Sequence, residues 1–264
     1  KEYLGNGLFR TTYPMAGAYE GPTEFYAGLR GSVKQVAYKD SPNSTVAVSE
    51  YAASAATRDL NNGGAFVRNI KVNGKSDGET SHGDMRTMRL TAHLPGLLSA
   101  APIKRVAVVG FGLGVTVGSV SLYPEVENIH VIEISPAVKQ FAPLFDFANY
   151  NVTKNPKVKW SIGDAYRVLG ASKESYSLIV SEPSNPWVTG VERLFAREFY
   201  EIVKSRLEPG GMYVQWIHDY TLSIDTLGLV FKTFGNAFPH VKTFRTSSDI
   251  IMLGSLQPIA NASV

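Results

Sequence analysis

The stretch Arg105 to Glu133, RVAVVGFGLGVTVGSVSLYPEVENIHVIE, constrains the fold more than any other part of the chain. A short apolar run, a turn with glycines at 110, 112 and 114, a helical segment and a second apolar run closing on an acid make one βαβ unit. In an open α/β sheet, ligands bind at such a turn. Gly110, Gly112 and Gly114 would let backbone approach a ligand without Cβ atoms in the way; tight packing of strand on helix would ask for the same residues. The spacing is GxGxG and not the dinucleotide GxGxxG, since Val115 and Val117 hold the later positions, which weakens the case for a nicotinamide or flavin pyrophosphate.

Strand and helix signals alternate from 105 to 254. Strands are expected at 105–109, 128–132, 158–162, 177–181, 212–216, 241–245 and 250–254. Between them, Ser135-Pro136 should open a helix carrying Val138, Phe141, Ala142 and Phe145. A helix from about Ala196 turns Phe199, Ile202, Val203 and Leu207 inward and stops at Pro209-Gly210-Gly211. Another, 224–234, turns in Leu227, Val230, Phe231 and Phe234. The alternation predicts a doubly wound parallel sheet, and the tight link between the last two strands requires one of them to run antiparallel. Upstream, Met85, Met88 and Ala92 mark a helix closed by Pro95. Before that, three β-rich runs separated by turn clusters predict a small antiparallel region with a hairpin at Asn73-Gly74. The polar stretch after that turn and residues 1–32 show no clear period. Residues 1–80 are therefore expected to form an N-terminal β region, and 81–264 the catalytic domain.

Composition narrows the function classes. The 26 basic and 23 acidic residues leave a net charge of only +3, evenly scattered, which argues against nucleic acid or an anionic membrane as main partner. There is no cysteine, hence no thiolate metal site and no cysteine nucleophile; no metal is expected, and a reducing compartment fits. No apolar run reaches the roughly 18 to 20 residues that cross a bilayer, and the first residues lack a signal-peptide core. The chain does not start with Met, so an excised piece of a longer protein is expected, with a membrane segment allowed outside it.

Three acids fall on one rim of the predicted sheet. Glu133, with Ile134 after it, stands about 20 residues beyond the glycine turn, where a carboxylate accepts both ribose hydroxyls of a nucleoside. Asp164, followed by Ala165, ends the third strand; it could meet an adenine amine, cap the next helix, or do both. The loop Ser181-Glu182-Pro183-Ser184-Asn185-Pro186-Trp187, stiffened by two prolines, would present an acid, an amide and an indole at the pocket mouth. Glu182 is a candidate base for an incoming nucleophile, and Trp187 a stacking surface for a ring or a sulfonium. With no Lys to grip phosphate, the pattern suggests adenosine without phosphates, as in S-adenosylmethionine.

The stretches VNGKSDGETSHGDMRTMRLTAHLP, VAVVGFGLGV, VIEISP, GDA, LIVSEPSNPW, LFAREFY and LEPGGMYVQW resemble, in order and spacing, the spermidine synthase family of polyamine aminopropyltransferases, and more so its bacterial members fused to membrane helices. The resemblance implies a Rossmann-like fold of the S-adenosylmethionine-dependent methyltransferase type, with a seven-stranded mostly parallel sheet and a small N-terminal antiparallel β region. It implies decarboxylated S-adenosylmethionine as donor, an amine acceptor such as putrescine, and release of methylthioadenosine. Glu133 would then hold the ribose, Asp164 the adenine, and Glu182 would be the catalytic acid. Asp77, His82 and Asp84, in the segment that covers the donor, and Asn185 and Trp187 would contact substrate. A cytoplasmic homodimer is implied, anchored through a membrane segment where one is present.

The departures from the family pattern point to the donor. Where typical members read GGGDGG this chain has GFGLGV, so Leu113 replaces an acid at the donor's aminopropyl end; where they read DSSDP it has EPSNP, with Asn185 neutral. Loss of two carboxylates favours a donor that keeps its own. A methyltransferase is the second reading, since Asn185-Pro186-Trp187 faintly resembles the Asn-Pro-Pro-Tyr loop of amino-group methyltransferases. A non-catalytic nucleoside-binding domain is the third.

Overall fold

The computed structural model describes residues 19–28, 32–42, 44–55, 58, 64–184, 186, 188–218, 222–246 and 249–260. A short helix, α1 (Pro22–Gly28), buries Phe25 in a segment whose sequence shows no period. Strands β1 (Val33–Asp40), β2 (Thr45–Ala52), β3 (Phe66–Val72) and β4 (Lys75–Glu79) form an antiparallel sheet in that order. Asn73 and Gly74 take φ of 51° and 79°, the left-handed pair that a tight hairpin turn requires. Strand β4 was not legible in the sequence. KSDGE has no apolar residue, and only its ladder with β3 makes it a strand.

Helix α2 (His82–Leu98) runs through Pro95 instead of ending there. In the last turn a proline costs one backbone bond, and Ser99 N–H still closes on the Pro95 carbonyl. There follow β5 (Arg105–Val109), α3 (Val115–Ser121), β6 (Asn128–Glu133), α4 (Pro136–Phe141) with a 3-10 turn at Ala142–Phe145, and β7 (Val158–Ile162). Next come α5 (Ala165–Ala171), β8 (Tyr176–Ser181), α6 (Arg197–Arg206), β9 (Leu207–His218), α7 (Ile224–Ala237), β10 (His240–Arg245) and β11 (Asp249–Ser255). The second sheet has the order β10-β11-β9-β8-β5-β6-β7, and β11 is antiparallel to both neighbours. Strand β5 pairs with β6 on one side and β8 on the other. The chain order reverses there, so the carboxyl ends of β5, β6 and β8 open the crevice in which such sheets bind ligands.

Three local expectations need correction. Pro209-Gly210-Gly211 is not the stop of α6 but an irregularity inside β9: Leu207 already pairs with Tyr176, and the register shifts before Leu178 meets Met212. Phe231 on α7 is 36% exposed, because the face of that helix turned to the core carries Leu227, Val230, Phe234 and Ala237. Ser135 takes the N-cap position of α4 with Pro136 first in the helix, as expected, but its side chain makes no cap bond, its hydroxyl being 3.1 Å from that of Ser44 just before β2.

The two sheets meet directly over the glycine turn. Leu113 is fully buried in the main core, and a Cβ on Gly78 of β4 would lie 2.7 Å from its Cδ1. Its carbonyl accepts the Asn149 side-chain amide at 2.9 Å. Leu113→Asp, which restores the acid of typical family members, should therefore destabilise by about 3 kcal/mol through an unpaired buried carboxylate. In a domain of this size that is a fall in Tm of roughly 6–12 °C. Calorimetry showing an unchanged Tm would mean that the side chain is not held in the core.

Candidate active site

Glu133 ends β6 with 6% exposure. One carboxylate oxygen accepts the Phe111 N–H at 2.9 Å and the other the Ser135 N–H at 2.8 Å. Burial pushes its pKa up, and those two N–H groups pull against the shift. Each oxygen keeps a further lone pair, so the carboxylate can fasten the glycine turn and still accept two hydroxyls from the cavity it lines. That cavity, about 390 Å³, runs under the small sheet along the carboxyl ends of the strands.

Gly110, Gly112 and Gly114 have φ of 84°, 53° and 78°, a region that side chains disfavour. Two of them are also forced by packing. A Cβ on Gly110 would stand 2.7 Å from the Glu182 carbonyl, and one on Gly114 would enter the Phe111 ring. Only Gly112 has open space beside it, and it lines the cavity with Gly110, whereas Gly114 begins α3 outside the lining.

Asp164 divides its carboxylate between two tasks. One oxygen accepts the Tyr166 N–H at 3.0 Å and caps α5. The other lies 3.9 Å from the Arg193 guanidinium and 4.0 Å from that of Arg167. Arg193 stacks on the Tyr166 ring, 4.6 Å from its centroid, and lines the cavity. Ile134 and Ala165 line it as well. Arg193 was not a sequence candidate, and no motif marks it.

Glu182 follows β8 directly, its N–H bound to the Val109 carbonyl at 2.9 Å. The residue is partly exposed and lines the cavity, yet its carboxylate is enclosed against the hydroxyls of Thr116 and Thr91. Burial raises its pKa to about 7 against the pull of those hydroxyls. Asp84 on α2 is likewise raised to about 7, by burial and the charge of Glu79, while the Glu79 N–H at 2.9 Å opposes the shift. Asp84 does not line the cavity, and His82 is exposed on the first turn of α2.

Asp77 does line the cavity. It accepts the Ser184 hydroxyl at 2.9 Å and pairs with Lys75 at 2.9 Å, which ties β4 to the loop after β8. Asn185 and Trp187 lie outside the described residues. The wall also includes Trp216 of β9, read in the sequence only as strand. Beyond it stands His218, held by Asp249; their partnership arises from strand pairing, which leaves no local spacing to detect.

A reversed-order, mostly parallel sheet with an antiparallel β11 is the fold of S-adenosylmethionine-dependent methyltransferases and their relatives. Human methyltransferase-like protein 13, solved in complex with SAH, superimposes at a TM-score of 0.52 with 20% identity over 66% of this chain and 81% of that one. A spermidine synthase in complex with the transition state analogue AdoDATO fits better, at 0.72 with 18% identity over 84% of this chain and 74% of that one. The spermine/spermidine synthase domain matches residues 85–247, and the chain belongs to that family. Among its relatives are putrescine N-methyltransferase 2 of Nicotiana attenuata, 32% identical over 67% of this chain and 50% of that protein, and spermidine synthase of Dictyostelium discoideum, 30% identical over 64% and 58%. The chain thus spans about half the length of the curated relatives it matches.

The enclosed Glu182 carboxyl has a consequence for stability. A carboxyl raised to about 7 on folding contributes stability that is present below its unfolded pKa and is lost as pH rises toward 7. Glu182→Gln, a neutral mimic, should match the wild type in Tm near pH 4 and exceed it near pH 8. Melting curves at the two pH values decide this, and a mutant less stable than wild type at the higher pH would contradict the enclosure.

Proposed function

We propose that the protein transfers the aminopropyl group of an S-adenosylmethionine-type donor to a small amine such as putrescine and releases methylthioadenosine. The observation that carries this reading is the convergence of Glu133, Asp164 and Glu182 on one cavity in a chain of the spermidine synthase family. In it, Glu133 accepts the ribose hydroxyls, Asp164 meets the adenine beside Arg193, and Gly110 and Gly112 let the sulfonium region lie against backbone. The attacking nitrogen forms a bond to the carbon next to sulfur. The C–S bond breaks and its electron pair stays on sulfur. The amine must first give up a proton, and Glu182 is the catalytic carboxylate that meets it; a pKa near the working pH suits a group that binds an ammonium and eases its deprotonation. Asp77, Asn185 and Trp187 are read as contacts to the bound substrates.

A second reading, methyl transfer to the same amine, is favoured by Leu113, which leaves the turn itself without an acid to grip a free aminopropyl end, and by the relationship to putrescine N-methyltransferases. We further read the protein as a cytoplasmic homodimer, anchored where a membrane segment lies outside this chain. No helix among the described residues is long and apolar enough to cross a membrane.

Mass identification of the nucleoside product, with each donor and with putrescine, separates the readings: methylthioadenosine for the first, S-adenosylhomocysteine for the second. Tight nucleoside binding without turnover of any amine would instead mark a binding domain. Glu133→Ala should abolish methylthioadenosine binding in a calorimetric titration, whereas Glu182→Gln should keep binding and lose about 10²–10⁴ in turnover. Normal affinity in the first variant, or normal turnover in the second, removes that residue from the mechanism.

A further inference from the structure

Arg193 is the only Lys or Arg among the described residues of the cavity wall, which also carries the carboxylates of Asp77, Glu133, Asp164 and Glu182. It stands on the 3-10 turn Glu192–Phe195, and burial of Phe195 in the core fixes that turn ahead of α6. The guanidinium lies over the Tyr166 ring, and that ring stacks in turn on Phe199, which is fully buried, with 6.3 Å between centroids. A side chain that keeps 54% exposure is thereby held at the end of a stack rooted in the core.

The guanidinium stops short of a hydrogen bond. Its terminal nitrogen is 3.9 Å from the Asp164 oxygen that does not cap α5, beyond the roughly 3.2 Å of a formed bond. Arg167 is no nearer, at 4.0 Å, and being 86% exposed it stays outside the wall. The cavity therefore meets a donor and an acceptor side by side, each with capacity left. Strand order decides which part of an adenosyl sulfonium reaches them. Outward from the glycine turn after β5, Glu133 ends the next strand, β6, and Asp164 follows the edge strand, β7. With the sulfonium at the turn and the ribose on Glu133, the purine is the part that extends to Asp164 and Arg193. Adenine presents the complementary pair, an amine that donates and a ring nitrogen, N7, that accepts. N1 also flanks the amine, but one carbon separates it from the amine and two separate N7, so the wider N7 edge suits a spacing of 3.9 Å.

We propose that Arg193 donates a hydrogen bond to N7 of the adenine while Asp164 accepts from its exocyclic amine, which makes Arg193 a specificity-determining residue for the donor's base. This assignment rests on the nucleoside site proposed above. The guanidinium touches the purine and not the reacting carbon, so its effect falls on the binding of donor and nucleoside product, whichever group is transferred.

Calorimetric titration with methylthioadenosine and with its 7-deaza analogue, in which C–H replaces N7, reads the contact directly. The wild type should bind the analogue about 10-fold or more weakly, as loss of a hydrogen bond from a charged donor requires. Arg193→Met should bind methylthioadenosine more weakly by a similar factor and no longer distinguish the two ligands. Equal affinity of the wild type for both overturns the proposal, and that arm does not depend on the variant folding. A variant that still discriminates against the 7-deaza analogue overturns it too. So does a deficit of the 1-deaza analogue that disappears in Arg193→Met, which would put the guanidinium at the other edge of the amine. Failure of the wild type to bind methylthioadenosine at all counts against the nucleoside site itself, Glu133 included, and removes the assignment with it.

Discussion

The bonds from Phe111 N–H and Ser135 N–H to the two oxygens of Glu133 are the constraint on which the site depends. They join the glycine turn after β5 to the entry of α4, so the carboxyl ends of two adjacent strands become one rigid wall. A carboxylate with 6% exposure is stable there only because these charge-assisted bonds offset the loss of water. The glycine turn closes on the same point: Gly110 has no room for a side chain beside the Glu182 carbonyl, which brings the ends of β5 and β8 together. Loosening Glu133 would thus disturb the turn and the loop behind it as well as any hydroxyl contact.

Titrating groups in and around the cavity fall into two sets. Glu182 and Asp84 sit where burial outweighs their hydrogen bonds and are poised near neutrality. Asp249 is buried too, but His218 and Thr87 keep it ionised. Acids driven in opposite directions within one region allow one to hold a proton while the other fixes a charge, the division of labour that acid–base chemistry at neutral pH needs.

What the sequence disclosed follows from range. Arg105–Val109, Val158–Ile162 and the Asn73-Gly74 turn could be read because apolar runs and turn chemistry are local. The acids at 133, 164 and 182 were legible because each ends a strand of a sheet whose alternation is itself a sequence signal. β4 was not, since its polar residues become a strand only through the β3 ladder. Pro95 was misread as a stop because a proline in a last turn costs little. The His218–Asp249 pair was invisible for a stronger reason: its partners are 31 residues apart and meet only in the register of β9 with β11.

The packing of Leu113 bears on which group is transferred. With its side chain in the core under Gly78, the turn presents backbone and not a carboxylate to the end of the cavity where the tail of an adenosyl sulfonium would lie. The charge that remains near that end is Asp77, already shared between Lys75 and the Ser184 hydroxyl. A free tail ammonium therefore gains less here than a turn bearing an acid would give it. Under the function proposed, Glu133 and Asp164 would act on the nucleoside and would not discriminate between the carbons of the sulfonium. On the proposed reading, the acceptor's approach past Trp216 and Glu182 selects the carbon attacked, so specificity for the transferred group rests on the acceptor side of the cavity more than on the donor side.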